Sequence, residues 1–167
     1  MIRVMTSFGD FRRLARAGTL ARSEAPVLLV GFQRPDGAVR QFRTQTEDTE
    51  RGPVPALNVV LGDLFTQVVR IVKGERNPYG DFIFVGRGST SDLVLNDPSV
   101  SKSHAAFQVE EGRWFLKDNR ARNGTQVDGR RLDAGERVAL RSGAQLIFGA
   151  FAAYFLDADH FDRVLRA

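Results

Sequence analysis

Val85-Gly86-Arg87, Asp97-Pro98-Ser99-Val100-Ser101-Lys102-Ser103-His104-Ala105 and Arg122-Asn123-Gly124-Thr125 mark three loops in one central stretch of the chain. Short β-type runs separate them: Asp92-Leu93-Val94-Leu95, then Ala106-Phe107-Gln108-Val109, then Trp114-Phe115-Leu116-Lys117. The loops bring an arginine, hydroxyls, a lysine, a histidine and an asparagine. A planar guanidinium beside a hydroxyl and an amide can hold a phosphate dianion and the backbone next to it. His104 lacks the nucleophile and orienting acid that general-base work requires, and is read as structural.

The pattern continues on both sides. Val68-Val69-Arg70-Ile71-Val72-Lys73 and Phe82-Ile83-Phe84-Val85 read as strands, the second delivering Arg87. Further short strands are predicted near 125–127, 130–132, 136–140, 145–148 and 151–156, punctuated by Gly112, Gly129, Gly135, Gly143 and Gly149. Many short strands with tight turns predict an all-β sandwich of about 11 strands. Asp157 to Ala167 is predicted as a short C-terminal helix capped by Asp157 or Asp159, with Phe161, Val164 and Leu165 facing the sandwich.

Upstream, Val27-Leu28-Leu29-Val30-Gly31-Phe32, the turn Arg34-Pro35-Asp36-Gly37 and Val39-Arg40-Gln41-Phe42-Arg43 form a hairpin. It either adds to a sheet edge or supplies the first strands of the sandwich. Gln45 to Pro55 is a polar loop, and Ala56 to Gln67 has the spacing of a short helix or of a turn at Gly62-Asp63. Met1 to Arg22 is basic. It places Phe8, Phe11, Leu14 and Ala15 near one helical face, with Ser7 or Asp10 as a cap and Gly18-Thr19 as a stop. A short helix or tail packed on its own domain is favoured over a partner-docking arm. The division expected is 1–25 arm, 26–65 hairpin and loop, 66–157 sandwich domain, 158–167 helix.

Composition narrows the function classes. The chain has 167 residues, 43% hydrophobic and 26% charged, which suits one globular core with an appended subdomain. The formal charge of +4 favours an acidic ligand without identifying it. No cysteine is present, and the only histidines are His104 and His160, so disulfides and Cys/His zinc sites are excluded. No run reaches ~18 apolar residues, so no membrane insertion is expected, and the expected location is cytoplasmic. Arg12, Arg13 and Arg16 are basic, but acids are mixed through the rest of the chain and no nucleic-acid motif accompanies them. With no Walker loop, metal cluster or supported carboxylate pair, neither an enzyme nor a cofactor is expected.

The ordered set Gly86-Arg87, Ser101-Lys102-Ser103-His104 and Asn123-Gly124-Thr125 resembles the forkhead-associated (FHA) domain. The similarity continues through Val127-Asp128-Gly129 to Ile147-Phe148-Gly149 and spans roughly residues 66 to 157. The resemblance implies a phosphothreonine-peptide reader in kinase-dependent signalling, from a bacterial source. Its partner would be a phosphothreonine-containing protein such as a Ser/Thr kinase or its substrate. Some bacterial members carry a phosphorylatable threonine tail that folds back; Thr46 and Thr49 beside Glu47, Asp48 and Glu50 are candidates for that role, while an acidic solvated loop is the favoured reading of this stretch. The alternative is a degenerate FHA domain that assembles with partners independently of phosphate.

Arg87 is assigned to the phosphate, since its five donors form a fork; the competing reading pairs it with Asp92 or Asp97. The resemblance places Ser101 and Lys102 on the phosphate as well, and implies that His104 braces the loops. Asn123 can donate and accept, so it can hold the ligand backbone, and Arg122 adds charge at the rim or points to solvent. Gly86 allows backbone geometry that a side chain would forbid, and Gly124 is structural. The family usually has serine two places before the asparagine and often threonine immediately before it. Ala121 and Arg122 depart from that pattern.

Overall fold

The computed structural model describes residues 6–18, 20, 24–44 and 54–167. Its elements are β1(Thr6–Ser7), α1(Phe8–Arg16), β2(Val27–Gln33), β3(Val39–Gln41), α2(Leu57–Gly62), β4(Thr66–Arg70), β5(Phe82–Gly86), β6(Leu93–Val94), β7(Ala105–Glu110), β8(Arg113–Asp118), β9(Thr125–Val127), β10(Arg130–Arg131), β11(Arg137–Ala139), β12(Gln145–Phe148), β13(Phe151–Leu156) and α3(Ala158–Arg166). The predicted sandwich is present, with its C-terminal helix. One sheet has the order β1-β4-β2-β13-β12-β9-β10 with β3 paired to β2; the other has the order β11-β8-β7-β5-β6.

The core between the sheets is built by Leu28, Val30, Ile83, Val85, Phe107, Leu116, Phe148 and Phe155, all buried. A second core lies on the opposite face of the larger sheet, where Phe8, Phe11, Leu29, Val68, Tyr154, Leu156, Phe161 and Leu165 pack together. That sheet is covered on both faces, which accounts for its unalternating runs. In β2, Leu28 and Val30 enter the inter-sheet core while Val27 and Leu29 enter the other. All six residues of β13 are buried. The hairpin question is thereby answered: β2 sits between β4 and β13, inside the sheet rather than on its edge.

The N-terminal helix belongs to this second layer. Ser7 caps α1 by accepting from the Asp10 N–H at 3.1 Å. Phe8, Phe11 and Ala15 are buried, whereas Leu14 of the expected apolar face is 42% exposed. The Phe11 and Phe161 rings meet edge to face at 5.4 Å. Asp157 caps α3 through the His160 N–H at 2.7 Å. Arg12 donates to the Val164 carbonyl at 3.2 Å near the C-terminal end of α3, where a cation is favoured. Arg13 pairs with Asp10, and Arg16 reaches the Ala167 carbonyl. These three arginines each have a partner in the helical layer, and Arg13 and Arg16 remain exposed. Among the described residues, no helix is long and apolar enough to cross a membrane. Thr46 and Thr49 lie outside the described residues.

Candidate functional site

The three loops meet because backbone hydrogen bonds zip them together. Arg87 N–H donates to the Ser101 carbonyl at 2.9 Å, and Gly88 N–H to the Lys102 carbonyl at 3.0 Å. A Cβ on Gly86 would run into those same two carbonyl oxygens. The glycine requirement there is close approach of two loops rather than an unusual dihedral. Arg87 is exposed, and its Nε donates to the Val100 carbonyl at 3.0 Å. This bond sets the plane of the guanidinium. Among the described residues neither Nη finds an acceptor, so both remain available to an anion.

The competing ion pairs for Arg87 do not form. Asp92 accepts from the N–H groups of Gly74 and Phe84 and from the Asn77 amide, each at 2.7 Å. It staples the turn after β4 to β5. Asp97 is buried; its Oδ1 accepts from Ser99 N–H at 2.9 Å and Ser99 Oγ–H at 2.7 Å, and its Oδ2 pairs with Arg43.

His104 is fully buried and links the second and third loops. Its Nδ1 accepts from Ser101 N–H at 3.0 Å, so Nε2 carries the proton and donates to the Gly124 carbonyl at 2.9 Å. Burial pushes its pKa below the ordinary 6.5, partly opposed by the Gly124 hydrogen bond and the Asp118 charge. The neutral imidazole thus links Ser101 to Gly124. Gly124 is buried with φ +77°, a conformation that favours glycine. Its carbonyl also accepts from Gly149 N–H at 3.0 Å.

Ser101 Oγ accepts from Arg122 N–H at 3.0 Å, which leaves its hydroxyl proton free to donate outward. The departure at Arg122 is tolerated at this contact because the backbone, not the side chain, makes it. The Arg122 side chain and the Lys102 side chain are both exposed. Asn123 donates from Nδ2 to the Ser99 carbonyl at 2.9 Å, leaving Oδ1 and one N–H for a ligand. Arg87, Ser101, Lys102, Arg122 and Asn123 are therefore carried by loops bonded directly to one another.

Sequence reasoning missed two neighbours. Arg43 follows β3 and reaches Asp97 from the far end of the hairpin. Arg131 on β10 lays its guanidinium against Gly124, where a Cβ would meet Cζ at 2.6 Å. A cleft of about 270 Å³ lies beside it, lined by Asp118, Ala121, Gly124, Arg131, Leu132, Asp133 and Ala134. The Asp118 carboxylate is committed, accepting from Thr125 Oγ1 at 2.7 Å and Arg120 N–H at 2.9 Å. Nothing in the sequence placed Arg131 against Gly124. Among the described residues no group of three or more His, Cys, Asp and Glu could hold a metal.

The structure is a β-sandwich that carries these candidate residues on its connecting loops. Residues 83–149 match the family described as FHA domain. The chain is 37% identical over 76 residues to Nibrin of Danio rerio, covering 46% of this chain and 9% of that protein. It is 35% identical over 71 residues to the glycogen accumulation regulator GarA of Mycolicibacterium smegmatis, covering 42% of this chain and 43% of the relative. The chain thus spans less than half the length of either relative. Among solved structures, an engineered FHA with a Myc-pTBD peptide superposes with a TM-score of 0.51 at 17% identity, over 87% of this chain and 100% of that one. That likeness concerns the fold.

Proposed function

We propose that this chain reads phosphothreonine in a partner protein, by recognition without chemistry. The observation that carries the reading is the state of Arg87. Its Nε is held by Val100, both Nη amines lack acceptors among the described residues, and its backbone is bonded to Ser101. A phosphate dianion supplies the oxygens that such a fork lacks. Ser101 donates its hydroxyl proton, Lys102 adds an ammonium, and Asn123 holds the ligand backbone. Arg122 meets residues that follow the phosphothreonine. The buried Asp97 is neutralised by Arg43 and the buried Asp118 is hydrogen-bonded internally, so the local field at this end is set by the exposed cations. Its ligand would be a Ser/Thr kinase or a kinase substrate encountered in the cytoplasm.

A second ligand is the chain's own 45–53 segment, with Thr46 and Thr49. Thr44 N–H donates to the Ala150 carbonyl at 2.9 Å, and Ala150 N–H donates to Ser99 Oγ at 2.8 Å. Thr44, the residue before the segment, is thus linked through Ala150 to Ser99 of the second loop, and an extended chain spans ~3.3–3.6 Å per residue. Screening a phosphothreonine-oriented peptide library against wild type and Arg87→Ala tests the main reading. Selective capture of phosphorylated peptides by wild type, lost in the variant, is the expected result. Equal capture of unphosphorylated peptides by both proteins would replace it with phosphate-independent assembly.

A further inference from the structure

Arg43 lies well outside the three loops in sequence, yet it is the counter-charge of the buried carboxylate that shapes the second loop. Asp97 is 1% exposed, and its Oδ2 has no hydrogen-bond partner among the described residues; what faces it is the charge of the Arg43 guanidinium, as an ion pair. A carboxylate so far removed from water requires a compensating charge. Its other oxygen holds both Ser99 N–H and Ser99 Oγ–H. The Ser99 carbonyl accepts from Asn123 Nδ2, and the next carbonyl, that of Val100, accepts from Arg87 Nε. One ion pair thus stands behind both proposed ligand contacts, the asparagine and the arginine.

The hairpin holds Arg43 in place independently of the loops. Arg43 faces Phe151 in an isolated antiparallel bridge, flanked by Phe42 N–H donating to Val30 and Ala152 N–H donating to Phe42. The guanidinium is consequently delivered by rigid sheet backbone. Its guanidinium pairs with Asp97 rather than with any of the proposed ligand-contact residues.

We infer that Arg43 is a positioning residue for phosphopeptide binding: through Asp97 it fixes the turn that aims Arg87 and Asn123. The inference rests on the phosphothreonine reading. It makes the upstream hairpin part of the reader rather than an appendage. The charge, more than the hydrogen-bond fork, carries the effect, so lysine should substitute where methionine cannot.

The test uses the full chain and a phosphothreonine peptide selected by the wild-type protein, with binding measured calorimetrically. Arg43→Met should weaken binding by about tenfold or more, and Arg43→Lys should stay within about threefold of wild type. In the unliganded protein, the Arg87 Nε–H and Asn123 side-chain NMR signals should move in Arg43→Met and return in Arg43→Lys. A variant that only lowered stability would leave those two signals unmoved in its folded fraction. If Arg43→Met does not fold, Asp97→Asn reads the same link and leaves the unpaired charge on the partly exposed Arg43 rather than on a buried carboxylate; it should weaken binding by about 3–10-fold. Arg87→Ala runs in parallel: retained binding there overturns the reader itself. Lost binding in Arg87→Ala, together with wild-type affinity in Arg43→Met or in Asp97→Asn, overturns the role of Arg43 alone. So does weakened binding with unmoved NMR signals.

Discussion

Replacing His104 with leucine separates a brace from a filler. Leucine occupies similar space against Phe148, whose ring meets the imidazole edge to face at 5.7 Å. The apolar contact is largely kept, so the loss is polar. Ser101 N–H loses its Nδ1 acceptor at 3.0 Å, while the Gly124 carbonyl keeps Gly149 N–H. One stranded donor costs about 1–3 kcal/mol, which is the expected fall in stability by urea denaturation. The wild-type protein should also show a pH signature. Its His104 pKa is lowered by burial, while the unfolded histidine titrates near 6.5. As pH falls through that value the unfolded chain binds a proton that the native state refuses. Stability therefore declines below about pH 6.5, down to the native pKa, and levels off there. His104→Leu should lose this part of the slope. An unchanged urea midpoint in the variant, or parallel pH profiles, would refute the brace.

Other outcomes follow from single contacts. Gly86→Ala forces a Cβ into the Ser101 and Lys102 carbonyls, so phosphopeptide binding should fall sharply even in protein that remains folded by circular dichroism. Arg87→Lys keeps a charge but loses the fork held by Val100, and should reduce affinity by about 10–100-fold in calorimetry. Phe161→Ala opens the space between the α1 and α3 rings, and should cost about 3–5 kcal/mol in urea denaturation. Asp92→Ala strands two backbone N–H groups and an amide, and should be destabilising by about 2 kcal/mol or more on the same measure.

Much of this molecule was legible in its sequence because alternation and turn chemistry act locally. The strands at 105–110, 125–127, 145–148 and 151–156 were predicted at their observed positions, and glycines with positive φ, such as Gly112 and Gly129, sit in the turns that punctuate them. The cap at Asp157 and the burial of Phe161 and Leu165 were readable for the same reason. The place of the hairpin was not, because an apolar run does not say which strands will flank it. Only β13, more than a hundred residues later, makes β2 internal. At the site, loop spacing identified Arg87, Ser101 and Asn123 as candidates, but the fate of nearby carboxylates could not be deduced. Asp97 might have taken Arg87; it pairs with Arg43 because the sheet brings that side chain to it. The helical layer was half legible: the α1 face could be seen, while its partner α3 lies at the other end of the chain.

The most direct test of the central claim is an NMR titration with matched phosphothreonine and threonine peptides, following the Arg87 Nε–H and the Ser101 and Asn123 amides. The phosphorylated peptide should shift all three signals, with the arginine response growing as the phosphate becomes a dianion, and the plain peptide should leave them unmoved. Equal shifts from both peptides, or a binding footprint that bypasses these three residues, would contradict it.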